Sequence, residues 1–153
     1  MKKIKLLVVM AALALVSAPC FADGLGYINY EKVLSNYDLA KNVARELDAK
    51  GMELQQYLMD KEKQYKNIDS PINKKNFEDQ VQKDFKAKND EFTKLKMKRA
   101  EEVENNILKA TQAVAAEKRI DVVLDYRVIF TGGTDLSQDV INYLNSGKLK
   151  SGK

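Results

Sequence analysis

The stretch from Leu39 to Arg119 limits the fold more than any other part of the chain. It is polar and lysine-rich, holds glycine only at Gly51, and is interrupted once, at Asn67-Ile68-Asp69-Ser70-Pro71. Before the interruption, Ala40, Ala44, Leu47, Gly51, Leu54, Leu58, Lys61, Tyr65 and Ile68 recur at alternating steps of four and three, the spacing of a coiled-coil seam. After it, Phe77, Val81, Phe85, Lys88, Phe92 and Leu95 continue the pattern, then Ala100, Val103, Ile107, Ala110 and Val114, with a slip of phase near Arg99. Pro71 suits the first turn of a helix, and Ser70 before it is placed to cap free amides. The spacing predicts two long helices folded into a hairpin, about 45 and 70 Å long at 1.5 Å per residue. The seam is flawed. Gly51 costs about 1 kcal/mol against alanine in a helix interior, and Lys61 stands where an apolar residue belongs.

Both flanks differ in composition. Gly26-Tyr27-Ile28-Asn29 reads as a short strand, with Asn29 capping a helix over Tyr30 to Tyr37. Ile120 to Asp125 and Val128 to Phe130 are β-branched runs, and the Tyr126-Arg127 step between them permits a tight hairpin. Gly132-Gly133 interrupts the chain. Asp135 or Ser137 then caps a segment in which Leu136, Val140, Ile141 and Leu144 share a face. Ser146 to Lys153 reads as a disordered tail. The fold class expected is α+β, mainly α: a long antiparallel helical hairpin (39–118) on a small β-structured body (23–38 and 119–145), with a flexible tail (146–153). Three short strands are too few to enclose a core alone, which points to association between copies.

The first 22 residues have the three parts of a secretory signal: Lys2, Lys3 and Lys5, an apolar run from Leu6 to Val16, and small residues ending at Ala22. Cleavage after Ala22 is expected, hence export to the periplasm. A lipoprotein signal at Cys20 is the alternative, and Pro19 argues against it. Cleavage removes Cys20, the only cysteine, so no disulfide can compensate for a thin core. The formal charge of +4 includes three signal lysines, so the exported chain carries +1. Basicity therefore makes a weak case for nucleic acid as a partner.

That small charge is unevenly placed. Residues 61–99 hold twelve basic and seven acidic residues, a net of +5, and the rest of the exported chain holds −4. Most of these lysines read as a solvated face paired with acids at helical spacing. The segregation of sign nevertheless favours anionic partners, and Lys74, Lys75, Lys83, Lys86, Lys88 and Lys94 are the candidate contacts for lipid headgroups or client. Met52, Met59 and Met97, with Phe77, Phe85 and Phe92, exceed what one seam accommodates and are candidate apolar contacts. Gly132-Gly133-Thr134-Asp135 lacks the lysine of a phosphate loop and reads as a turn. Asp121 and Asp125 lack partners for metal or acid–base work, and the chain has no histidine. No catalytic site, metal site or cofactor is expected.

The order of these pieces resembles the Skp/OmpH family of periplasmic chaperones. The likeness is most specific at Gly26-Tyr27-Ile28-Asn29 and from Ile120 to Leu144. It implies a homotrimer in which Tyr27, Ile28, Val122, Val123, Leu124, Val128, Ile129 and Phe130 build a shared β-structured body. Three helical arms would then enclose a cavity that holds unfolded outer-membrane proteins without ATP, prevents their aggregation and aids delivery. A lipopolysaccharide site on basic arm residues is also implied. Against this stands a structural coiled-coil protein of the envelope without chaperone activity, which predicts a rigid arm and no binding of apolar dyes.

Overall fold

The structure, a computed structural model, describes residues 24–151. The signal peptide expected over residues 1–22 lies outside them. Strand β1 (Leu25–Ile28) leads into helix α1 (Tyr30–Asn36). The hairpin follows as α2 (Asp38–Lys66) and α3 (Pro71–Glu117), of 29 and 47 residues. Strand β2 (Val122–Asp125), strand β3 (Thr134–Asp135) and helix α4 (Ser137–Asn145) complete the body. The chain is mainly helical with a small sheet, as its sequence predicts.

Local chemistry explains the boundaries. Asn29 accepts a hydrogen bond from Lys32 N at 2.9 Å and caps α1. Ser70 holds the extended backbone of a cap before Pro71, but its hydroxyl makes no capping bond, contrary to expectation. At the far end of α3, Arg119 takes a left-handed φ of 56°. Arg119 N donates to the Ala116 carbonyl and Ile120 N to the Ala115 carbonyl, the paired closure that ends many helices. That turn aims Ile120 into the core.

The sheet differs from the expected hairpin. All three strands are parallel, in the order β2-β1-β3, with Leu25 opposite Val122 and Tyr27 opposite both Leu124 and Asp135. Val128–Phe130 is not a strand. A tight two-residue hairpin needs positive φ at its first central position and often at both, which favours Asn or Gly over Tyr126-Arg127. The Asp125 carboxylate instead accepts from Arg127 N at 2.9 Å, and Tyr126–Val128 forms a 3-10 turn. Gly132 and Gly133, at φ of 81° and 87°, then bring Thr134 beside Gly26. Lys148–Ser151 is also a 3-10 turn, where a disordered tail was expected, and Leu149 packs against the core.

The core lies where the hairpin's base meets the body. Val33, Tyr37, Val43, Val103, Ile107, Ala110, Val114, Ile120, Leu136, Val140, Ile141 and Leu144 are buried there. Gly26 is required by close approach: a Cβ at that position would stand 2.9 Å from Leu136 Cδ1. Ser137 joins sheet to helix, accepting from Asn29 N at 2.8 Å while its own amide donates to Asp135 Oδ1 at 2.8 Å. Neither residue expected to cap the last helix holds the cap position, which is Leu136; Asp135, one place earlier, accepts from the first helical amide.

Candidate interaction surfaces of the arm and sheet

Burial stops abruptly along the arm. From Ala44 to Glu102 no residue is buried, although the two helices run side by side. The seam itself departs from the predicted register. Val43, not Ala44, is buried, and Tyr57 takes the inward place while Leu58 is exposed. On α3, Lys88 and Ala100 are exposed, and Arg99 turns inward instead. At Val43 and Tyr57 a β-branched or aromatic side chain covers more of the facing helix than its neighbour does, and at Arg99 the ion pair with Glu46 draws the side chain across.

Arg99 marks the boundary between the two regimes. Its NH2 donates to Glu46 Oε1 across the hairpin at 3.2 Å, and its NH1 donates to Glu102 Oε2 at 2.8 Å. Its Nε lies 3.0 Å from Glu46 Oε2 but is not aligned for a hydrogen bond, so that contact is an ion pair only. Glu102 first, then Glu46, push the guanidinium's proton affinity up, and the group stays charged. Beyond it, apolar side chains are at most half-buried, and lysines lie over rings. Lys61 Nζ lies 5.5 Å from the Tyr57 ring centre and 5.6 Å from that of Phe77. Lys88 lies 5.3 Å from Tyr57, Lys74 5.3 Å from Tyr65, and Lys96 5.8 Å from Phe92. The Tyr57 hydroxyl is buried without a hydrogen-bond partner, and that desolvation, with Asp84 nearby, pushes its pKa up.

The predicted contact residues therefore divide. Met52, Met59 and Met97 lie exposed off the seam, Met97 at 70%. Phe77, Phe85 and Phe92 are half-buried in it, with Phe77 6.4 Å from Tyr65 between ring centres. Lys75, Lys83, Lys86 and Lys94 are exposed, whereas Lys74 and Lys88 belong to the ring-stacked set. Lys61 and Lys96 complete that set; their signal was an aromatic three or four residues away. Ile72 at the tip is exposed as well, and nothing in the seam count marks it. Grooves open beside the seam. One of about 330 Å³ near the tip is lined by Leu58, Tyr65, Phe77, Val81 and Phe85, with Lys61, Glu62, Glu78 and Gln82 at its polar edge. Another of about 540 Å³, at the crotch with α1, is lined by Leu34, Val43, Leu47, Ala100 and Val103 among others.

The sheet offers a second surface. Gly26, Ile28 and Val123 face the helices, and Leu25, Tyr27, Val122 and Leu124 occupy the other face. Leu25, Val122 and Leu124 are exposed there. The adjoining turn adds Tyr126, Val128 and Phe130, the last wholly exposed at 103%. Ile129 is half-buried. Parallel sheets are normally covered on both faces, so this one is open on a side that its composition marks for burial.

Among the described residues, no group of three or more His, Cys, Asp or Glu is placed to hold a metal ion. No described helix is long and apolar enough to cross a membrane. A comparison with curated proteins returned no match. The model of one family, described as outer membrane protein (OmpH-like), matches residues 24–144, which take in all three strands, both limbs of the hairpin and nearly all of α4. With most of its length matched, the chain belongs to the OmpH-like family.

Proposed function

We propose that this chain is an ATP-independent holdase of the periplasm, exported by a cleaved signal peptide. It binds unfolded outer-membrane proteins in a cavity between helical arms, prevents their aggregation and aids their delivery to the outer membrane. Membership of a family of periplasmic chaperones for outer-membrane proteins supports the class of activity. One observation carries the reading to this chain: a hairpin with no buried residue between 44 and 102, whose methionines, leucines and ring edges reach solvent. A client that must stay unfolded is best held by many weak, adaptable contacts, because no single one traps it.

Three copies assembled through the body complete this reading. The open sheet face of Leu25, Val122 and Leu124, with Val128 and Phe130 beside it, supports burial against neighbouring copies. The net charge of +5 over residues 61–99 supports contact with an anionic membrane surface or lipopolysaccharide, weakening with salt. Light scattering tests the central statement. A β-barrel protein diluted from urea should remain clear at one trimer per client, and unchanged aggregation at that ratio overturns the holdase reading. Native mass, measured with and without the client, should give three chains and three chains plus one client.

A further inference from the structure

The lysines of the distal arm fall into two groups that differ in what already neutralises them. Lys66 lies 2.8 Å from Glu62 and Lys63 lies 3.9 Å from Asp60. Lys61, two residues before Lys63, makes no ion pair among the described residues. Its ammonium donates to Gln64 Oε1 at 3.2 Å and rests over two rings, one from each limb of the hairpin. Lys74, over Tyr65, also lacks a carboxylate partner among the described residues. Lys61 lines the groove formed by Leu58, Tyr65, Phe77, Val81 and Phe85, together with Glu62 and Glu78, and Lys74 reaches its edge over Tyr65.

We infer that this groove near the tip is a docking site for an aromatic side chain flanked by carboxylates in an unfolded polypeptide, with Lys61 as its lid. In the empty arm Lys61 covers the faces of Tyr57 and Phe77. An arriving carboxylate draws the ammonium aside, and the same motion uncovers ring surface for the neighbouring aromatic group. Lys61 gains an ion pair without breaking one, which Lys63 and Lys66 cannot do. The groove's size suits one or two side chains; of the two glutamates that line it, Glu62 is already held by Lys66 at 2.8 Å, and the net +5 of the whole stretch 61–99 complements an acidic segment. The order of preference follows: acidic-aromatic peptides first, neutral aromatic ones next, basic ones last. The inference rests on the chaperone reading for the source of the polypeptide, and it adds chemical selectivity to a surface otherwise expected to be indiscriminate.

The chain has no tryptophan, so a tryptophan in a peptide probe gives a signal free of background. Three unstructured peptides with the same aromatic content, flanked by Glu, Gln or Lys, are titrated onto the full exported chain by fluorescence anisotropy. Lys61→Met keeps the unbranched stem and removes the charge. It should weaken the acidic peptide about fivefold, the size of one exposed ionic contact, and leave the neutral peptide unchanged or tighter. Lys63→Met is the comparison and should change acidic binding less than twofold. Equal losses in the two variants would reduce the effect to the arm's general field and overturn the inference. Equal affinity of the parent chain for acidic and basic peptides does the same without any variant. Anionic phospholipid vesicles form a separate arm: if Lys61→Met loses vesicle binding while no peptide binds, the lysine serves lipid and the inference falls. Aggregation of the β-barrel client is followed in parallel. Suppression that persists in Lys61→Met while peptide selectivity is absent sinks this inference and leaves the holdase reading standing.

Discussion

The body and the distal arm are built from the same chain by different rules. In the body, Leu136, Val33 and Val140 are fully enclosed, glycine appears where a Cβ would collide, and polar groups such as Ser137 are partnered. In the arm beyond Arg99, rings are half-buried, lysines lie over them, and a buried tyrosine hydroxyl goes without a partner. Close packing fixes one structure, whereas a seam of half-buried rings and stacked lysines leaves several arrangements close in energy. The division matches the proposed work: the body holds copies together, and the arm adapts to what it holds.

The largest expected effect sets the two regimes directly against each other. Leu136→Ala removes a side chain with no exposed surface and should cost about 2–5 kcal/mol. Phe85→Ala removes more atoms but from a half-buried place, and should cost about 1–2 kcal/mol. Urea unfolding at fixed chain concentration compares them, since association contributes to the stability of both. If Phe85→Ala is the costlier change, the arm has a core after all and the contrast breaks.

A polar joint gives the next effect. Ser137→Ala leaves Asn29 N without a partner in the body and takes from Asp135 Oδ1 one of its two donors, the Ser137 amide remaining, a loss of about 1–3 kcal/mol. The pH profile identifies the group. The Ser137 hydroxyl above all, against a smaller desolvation, holds the Asp135 carboxyl below the ordinary carboxylate range. Its stabilisation is therefore complete above the unfolded-state value and is lost as pH falls through the depressed folded value. Thermal midpoints should show a shallower decline with acid in Asp135→Asn than in the parent chain. An identical acid limb in both would remove Asp135 from the account.

How much of this was legible in the sequence follows from the kind of signal each feature leaves. The hairpin, its break before Pro71 and the cap at Asn29 were readable because periodicity and capping chemistry are local. The base of the seam followed the apolar pattern as far as burial is strong, at Val103, Ile107, Ala110 and Val114. Where burial weakens, Tyr57 displaced Leu58 and Arg99 displaced Ala100, because no core penalises a shift by one residue. The sheet was misread at Val128–Phe130. Its β-branched run indicated a strand, but pairing is a long-range choice, and the Asp125 side chain turns the chain before a hairpin can form. The exposure of Met52, Met59 and Met97 off the seam was legible from spacing, but the pairing of Lys61 with two rings on different limbs depends on the hairpin's register.

The smallest effect tests whether the arm's looseness is a property of its seam or of one residue in it. Gly51 faces α3, and a Cβ built there would meet only Phe92 Cζ, at 4.0 Å, an ordinary contact. Gly51→Ala should therefore bring nearly the full helix-propensity gain of about 0.5–1 kcal/mol with no steric cost. Because the gain is local, it should appear as slower amide hydrogen exchange around Gly51 and Phe92, with exchange at Ile107 and Val140 unchanged. Slower client release in the same variant would tie compliance at this glycine to function. If exchange slows while release does not, adaptability resides in the lysine-over-ring seam as a whole, and Gly51 is one weak turn among many.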